Sequence, residues 1–234
     1  MRFFAFTTKK TLADGFFPPY TFAVPDFSAP KRGTLCVLGI DPAAAGPTGY
    51  GVIESDGRRC RVLRFGALRP MSAARRGERG SAALRLREVH TLVADLIKEF
   101  SPDGLAIESV FAAINMKTAL RLAEVRGVVL LAAVQAGIPS FDYSPREIKA
   151  SVAGYGQAGK QQVQQMVRAL LGMSETPEPE DAADALAVAL CHMQMAESQA
   201  RFAAGTARAA SLAGVSKTAR RHNRIRPPRI SSLR

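Results

Sequence analysis

The chain has 234 residues, 47% of them hydrophobic and 22% charged, with a formal net charge of +12 and three cysteines. That balance fits a globular domain with a substantial core, and it argues against both wholesale disorder and a membrane class. Cys36, Cys60 and Cys191 are too few and too scattered for a disulfide framework or a zinc site, so a reducing, cytoplasmic location is expected.

The charge is unevenly placed. Residues 1–34 hold 5 Lys+Arg against 2 Asp+Glu, and residues 199–234 hold 9 Lys+Arg and no acid, which leaves 35–198 with 18 of each sign. The basic character therefore describes the ends of the chain, and any nucleic-acid surface on the middle must rest on local patches. Residues 1–34 carry seven of the twelve Phe among four Pro without helical or strand periodicity. They are expected to be a disordered N-terminal extension, with a docking arm as the alternative. Lys9, Lys10 and Asp14 interrupt any apolar stretch there, so no export signal is read.

From Leu35 the pattern becomes strand-like. LCVLGI and YGVIES, then Arg61 to Leu68 beyond the Asp56-Gly57 turn, predict three consecutive antiparallel strands. Arg79 to Phe100 spaces Leu84, Leu86, Val89, Leu92, Val93, Leu96 and Ile97 on a helical period. LAIES at 105–109 predicts a fourth strand, Asn115 to Ala136 a long helix and PSFDY at 139–143 a fifth strand. Helices are expected over 145–153, 160–171 and 180–198. This order implies an α/β fold, a five-stranded mixed sheet flanked by helices. The last 36 residues, 199–234, are read as a basic C-terminal tail without the means to build a core, expected to be disordered.

Two strands end on a carboxylate, Asp41 and Glu108. Open α/β sheets place their sites at such ends, and on neighbouring strands the two acids would converge. Alone, a strand-end Asp is an ordinary turn or cap residue. The third element is PEDAADALAVALCH, in which Asp181 and Asp184 stand three apart on one helical face and alanines permit close approach to a sheet. Glu180 and Asp181 also suit a helix N-terminus through its dipole, but that does not account for Asp184 beside the apolar stripe. Four carboxylates brought together repel one another unless cations lie between them. Oxygen-only ligation, without a His or Cys cluster, favours Mg²⁺, with Mn²⁺ as a substitute. Two such ions about 4 Å apart can activate a water and stabilise the leaving oxygen of a phosphoryl displacement.

LGIDP with TGYGVI, AIESVF running on to Asn115 and ALRLAEVRGV, SPREIKASVAGYG, GKQQVQQMVRALL and DAADALAVALCH occur in this order from about Leu35 to Glu197. In order and spacing together they resemble the RuvC family of bacterial Holliday-junction resolvases, within the retroviral-integrase and ribonuclease H superfamily. The resemblance implies a ribonuclease H-like nuclease domain over 35–198, a homodimer, and a metal-dependent endonuclease that nicks four-way DNA junctions. It implies that Asp41, Glu108, Asp181 and Asp184 are the catalytic metal ligands, two Mg²⁺ per site. It also implies that Phe111 stacks on or wedges into the junction strands and that Lys149 and Lys160 contact the DNA backbone. The RuvA and RuvB branch-migration proteins are the partners it implies. The sequence departs from the family pattern at Ala43, where Gly is usual, and in a loop before Thr48 that is one residue longer.

Two other readings compete. The first hairpin, with its Asp and Gly/Thr-containing turn, is similar to the opening of actin-like ATPases and sugar kinases, but no second Gly-rich phosphate loop follows. A non-catalytic junction-binding protein is the other.

Overall fold

The computed structural model describes residues 33–69, 81–109 and 115–222. Five strands form one mixed sheet: β1 (Leu35–Asp41), β2 (Thr48–Ser55), β3 (Cys60–Leu68), β4 (Gly104–Glu108) and β5 (Ser140–Tyr143), in the order β3-β2-β1-β4-β5. The first three strands pair antiparallel, and β4 and β5 add in parallel on the other side of β1. The predicted hairpin closes at Asp56-Gly57. Gly57 takes a φ of +81°, and Asp56 Oδ1 accepts the amides of Arg58 and Arg59, each at 2.8 Å.

Helices α1 (Ser81–Phe100) and α2 (Met116–Gln135) cover one face of the sheet; α3 (Pro145–Ala153), α4 (Lys160–Leu170) and α5 (Glu180–His222) cover the other. Because β1 is central, its alternating side chains are buried on both sides. Leu38 and Ile40 join Val89, Val93, Val125 and Val129 under α1 and α2, whereas Val37 packs with Ile53, Ala106 and Leu186 on the α5 side. This is why LCVLGI reads as an unbroken apolar run rather than an alternating one.

Helix starts follow their caps. Asn115 caps α2 by accepting the Thr118 amide at 3.0 Å, so the predicted first residue is the cap and the helix begins at Met116. Ser144 and Glu147 form a reciprocal capping box at the start of α3, with Pro145 in its first turn. One expectation is corrected: α5 does not end at 198 but continues to His222, into the segment read as a tail. Its residues 199–222 contain no proline and many alanines, so nothing local stops the helix even though the core has ended. Among the described residues no helix is long and apolar enough to cross a membrane.

Candidate active site

Strand alternation aims the two strand-end acids. Val37, Gly39 and Asp41 share one face of β1, as Ala106 and Glu108 share one face of β4, and Val37 and Ala106 pack on the α5 side. The parallel register that sets Ile40 opposite Ile107 brings Asp41 and Glu108 side by side on neighbouring strands.

Helix α5 supplies the other two acids, and a trough of glycines lets it come near enough. A Cβ on Gly39 would lie 2.3 Å from the Ala185 carbonyl oxygen; one on Gly49 would lie 1.8 Å from that of Asp181; one on Gly51 would lie 2.7 Å from Leu186 Cδ2. Gly49 is also the register partner of Asp41. The first turns of α5, with Asp181 and Asp184, are therefore held against the strand ends bearing Asp41 and Glu108. The alanines of α5 were legible as a close-packing surface; their partners, Gly39, Gly49 and Gly51, follow from strand pairing.

The electrostatics agree with this convergence. Burial, followed by the charges of Glu108 and Asp184, a hydrogen bond with Glu108 and the charge of Asp181, pushes Asp41 up to about 8. Glu108 and Asp184 are raised too, chiefly by burial. Lys160, at the start of α4, supplies the countercharge, with its ammonium 2.9 Å from Glu180 and 3.1 Å from Asp184. A cleft of about 290 Å³ opens beside these groups, lined by Glu108, Lys149, Lys160 and Asp184 together with Ile148 and Val163. Among the described residues no three acidic, His or Cys side chains stand in ready-made ligation around one point. Asp41, Glu108 and Asp184 stand close enough to influence one another's ionisation, with Lys160 as the compensating cation on Asp184. Their donor set, oxygen alone and short of positive charge around Asp41, suits a hard divalent ion.

Comparison with known proteins gives this arrangement a family. Residues 37–192 match the family model described as crossover junction endodeoxyribonuclease RuvC. The chain belongs to the RuvC family. The RuvC of Natranaerobius thermophilus is 43% identical over 160 residues, 68% of this chain and 95% of that one. The Chloroflexus aggregans RuvC is 44% identical over 165 residues, covering 70% and 96% respectively. The Thermus thermophilus RuvC structure superposes with a TM-score of 0.61 at 32% identity, covering 70% of this chain and 96% of that one. A structure of T. thermophilus RuvC in complex with Holliday junction substrate matches with the same TM-score and identity over 69% and 95%. Like its RuvC relatives, the chain belongs to a nuclease family, and the five-stranded ribonuclease H-like fold expected from sequence is the one observed. The actin-like alternative finds no support in this match.

Of the seven site residues expected from sequence, six are brought to this end of the sheet: Asp41, Glu108, Asp181 and Asp184, with Lys149 and Lys160 across the cleft. Phe111 lies outside the described residues. Two features escaped the sequence reading. His192 is buried, its Nδ1 2.7 Å from the Tyr143 hydroxyl and its ring stacked on Phe141 with centroids 4.2 Å apart. Arg85, in the first part of α1, reaches the loop that follows Asp41, where its guanidinium donates to the carbonyls of Ala43, Ala44 and Gly46. The spacing of residues along the chain signals neither contact.

Proposed function

We propose that this protein is a Mg²⁺-dependent, structure-specific endodeoxyribonuclease that resolves four-way DNA junctions by paired nicks. The observation that carries this reading is the meeting of Asp41, Glu108, Asp181 and Asp184 at one end of the sheet, beside a cleft flanked by Lys149 and Lys160. Membership of the RuvC family and likeness to a RuvC solved with Holliday junction substrate support the choice of DNA.

Asp41, Glu108, Asp181 and Asp184 would hold the metal, with Mn²⁺ as a possible replacement. When bound, Mg²⁺ supplies Lewis acidity at the attacked phosphate and lowers the pKa of the attacking water. The chain's own contribution is placement. Gly39 and Gly49 hold α5 near β1, so the acids are assembled before substrate arrives rather than gathered by it. Lys149 and Lys160 would draw the phosphate backbone into the cleft, and Lys160 could exchange Asp184, which would hold the metal, for a phosphate while Glu180 stays solvated at the surface. Phe111 would stack on the junction strands three residues beyond Glu108.

A homodimer would set one such site on each of two strands. Leu120, Leu131 and Val134 lie exposed along α2, with Gly127 between them open to close approach, and that apolar stripe suits a second copy. The three free thiols fit a cytoplasmic enzyme. RuvA and RuvB are the expected partners in recombination and repair.

The test compares an immobile four-way junction, a mobile one and a linear duplex of related sequence, each with Mg²⁺ and with EDTA, using wild type and Asp41→Asn. Paired, ligatable nicks in junctions alone, lost with EDTA and in the variant, are expected. Tight junction binding without cleavage in any metal would favour a non-catalytic junction-binding protein instead.

A further inference from the structure

The loop between β1 and β2, residues 42–47, starts immediately after Asp41. Arg85 holds it. Besides the bond to Ala43, Nη1 is 2.9 Å from the Ala44 carbonyl oxygen and Nη2 is 2.9 Å from that of Gly46. One guanidinium thus gathers three carbonyls within four residues, which a lysine ammonium without the planar fork would match poorly. The Arg85 Nε is buried without a partner among the described residues, so the side chain is committed to this loop rather than to solvent.

Fixing carbonyls fixes amides. The only cis peptide among the described residues is Glu178-Pro179, so the Ala43-Ala44 and Ala44-Ala45 bonds are trans, and in a trans peptide the N–H points opposite to its carbonyl. With the Ala43 and Ala44 carbonyls turned toward α1, the N–H groups of Ala44 and Ala45 turn away from it. Helices α1 and α2 pack on the face of the sheet opposite to the one bearing Asp41 and Glu108. Neither N–H has an acceptor among the described residues, and Ala45 is exposed. Two successive free amides, aimed the same way beside a strand end, form a concavity suited to an anion oxygen.

We propose that Arg85 is a positioning residue for junction cleavage, and that the Ala44 and Ala45 amides it orients bind one backbone phosphate next to the scissile one. The inference rests on the junction-cleaving reading above. Arg85 does not touch the DNA; it makes the loop rigid in the one orientation that presents both donors, so no ordering remains to be done when the strand arrives.

The experiment is a cycle between protein and substrate. Wild type, Arg85→Lys and Arg85→Ala are compared on a native junction and on junctions carrying a single uncharged methylphosphonate at each phosphate flanking the cut. Single-turnover cleavage is read with enzyme in excess, and junction Kd is read separately in EDTA. In wild type one methylphosphonate next to the cut is expected to lower the rate roughly tenfold or more and to weaken binding measurably. Arg85→Ala should lose a comparable factor on native junction, and the same methylphosphonate should then do little further harm; Arg85→Lys should fall between. Circular dichroism unchanged from wild type accompanies this result. Should Arg85→Ala not fold, Arg85→Lys carries the comparison. Equal methylphosphonate penalties in all three proteins, or wild-type cleavage and binding by Arg85→Ala, overturn the proposal. A wild type that binds junctions but never cuts them refutes the nuclease reading instead, and the Kd cycle still decides the role of Arg85.

Discussion

Gly49 in β2 lies so close to Asp181 in α5 that a Cβ on the glycine would stand 1.8 Å from the Asp181 carbonyl oxygen. Backbone meets backbone there, at the residue directly opposite Asp41 in the strand register. The proposed acidic site therefore depends on a residue with no chemistry of its own.

Gly49→Ala should accordingly be far more harmful than a usual Gly→Ala change in a strand. The helix has to move by more than an ångström or the strand has to buckle, and overpacking of this kind destabilises by about 1–3 kcal/mol. Urea unfolding measures the loss, and cleavage by the folded fraction should fall as well because Asp181 and Asp184 are displaced. A Gly49→Ala protein as stable and active as wild type would show that the trough does not set the site.

Asp41→Asn should abolish cleavage, preserve junction binding and raise the stability of the metal-free protein at pH 7.5. In the fold Asp41 titrates near 8 against an ordinary 3.8, so the folded state binds more protons than the unfolded one between those values, and stability falls as pH rises across that window. Removing the carboxyl removes this loss. A gain of about 1–3 kcal/mol is expected at pH 7.5 and little change near pH 4. Thermal melts in EDTA at the two pH values decide it.

His192 contributes with the opposite sign. Burial pushes its imidazole down to about 4 from an ordinary 6.5, so between those values the unfolded chain binds more protons and stability is lost as pH falls. The effect approaches about 3 kcal/mol by pH 4. Because Asp41 and its neighbours slope the other way, the informative quantity is the difference between wild type and His192→Gln. That difference should favour wild type at pH 7 and shrink steadily toward pH 4; a constant difference would mean that His192 does not titrate in this range.

Lys149→Ala should weaken junction binding and reduce the slope of log K against log salt by about one, as expected for one lost phosphate contact. Anisotropy titrations over a range of KCl concentrations provide the slope. An unchanged slope would assign Lys149 to the local charge balance around Glu108 rather than to DNA.

Much of this protein was legible from its residues in order. The apolar run that ends on Asp41, its echo at Glu108, the Asp-Gly turn and the helical spacing up to Phe100 each depend on neighbours a few positions away, and each appears where it was expected among the described residues. The acids Asp181 and Asp184 could be singled out because charge beside an apolar helical stripe has no local explanation. The end of α5 is not legible for the same reason in reverse: core-forming residues stop after 198, which predicts an end of helix, whereas an alanine-rich chain without proline keeps its backbone hydrogen bonds without a core.

What the amino-acid order determined by itself was the set of elements, the chemistry of the carboxylates and, through combined motifs, the family. Tertiary structure alone decided which small residues face one another, that Lys160 neutralises Asp184, that His192 finds Tyr143, and that Arg85 holds the loop beside Asp41. Each of those contacts joins residues from 24 to more than 140 positions apart, and local propensity carries no record of such pairs. They exist because sheet register and the glycine trough leave α5, α4 and α1 one close-packed way to cover the strands.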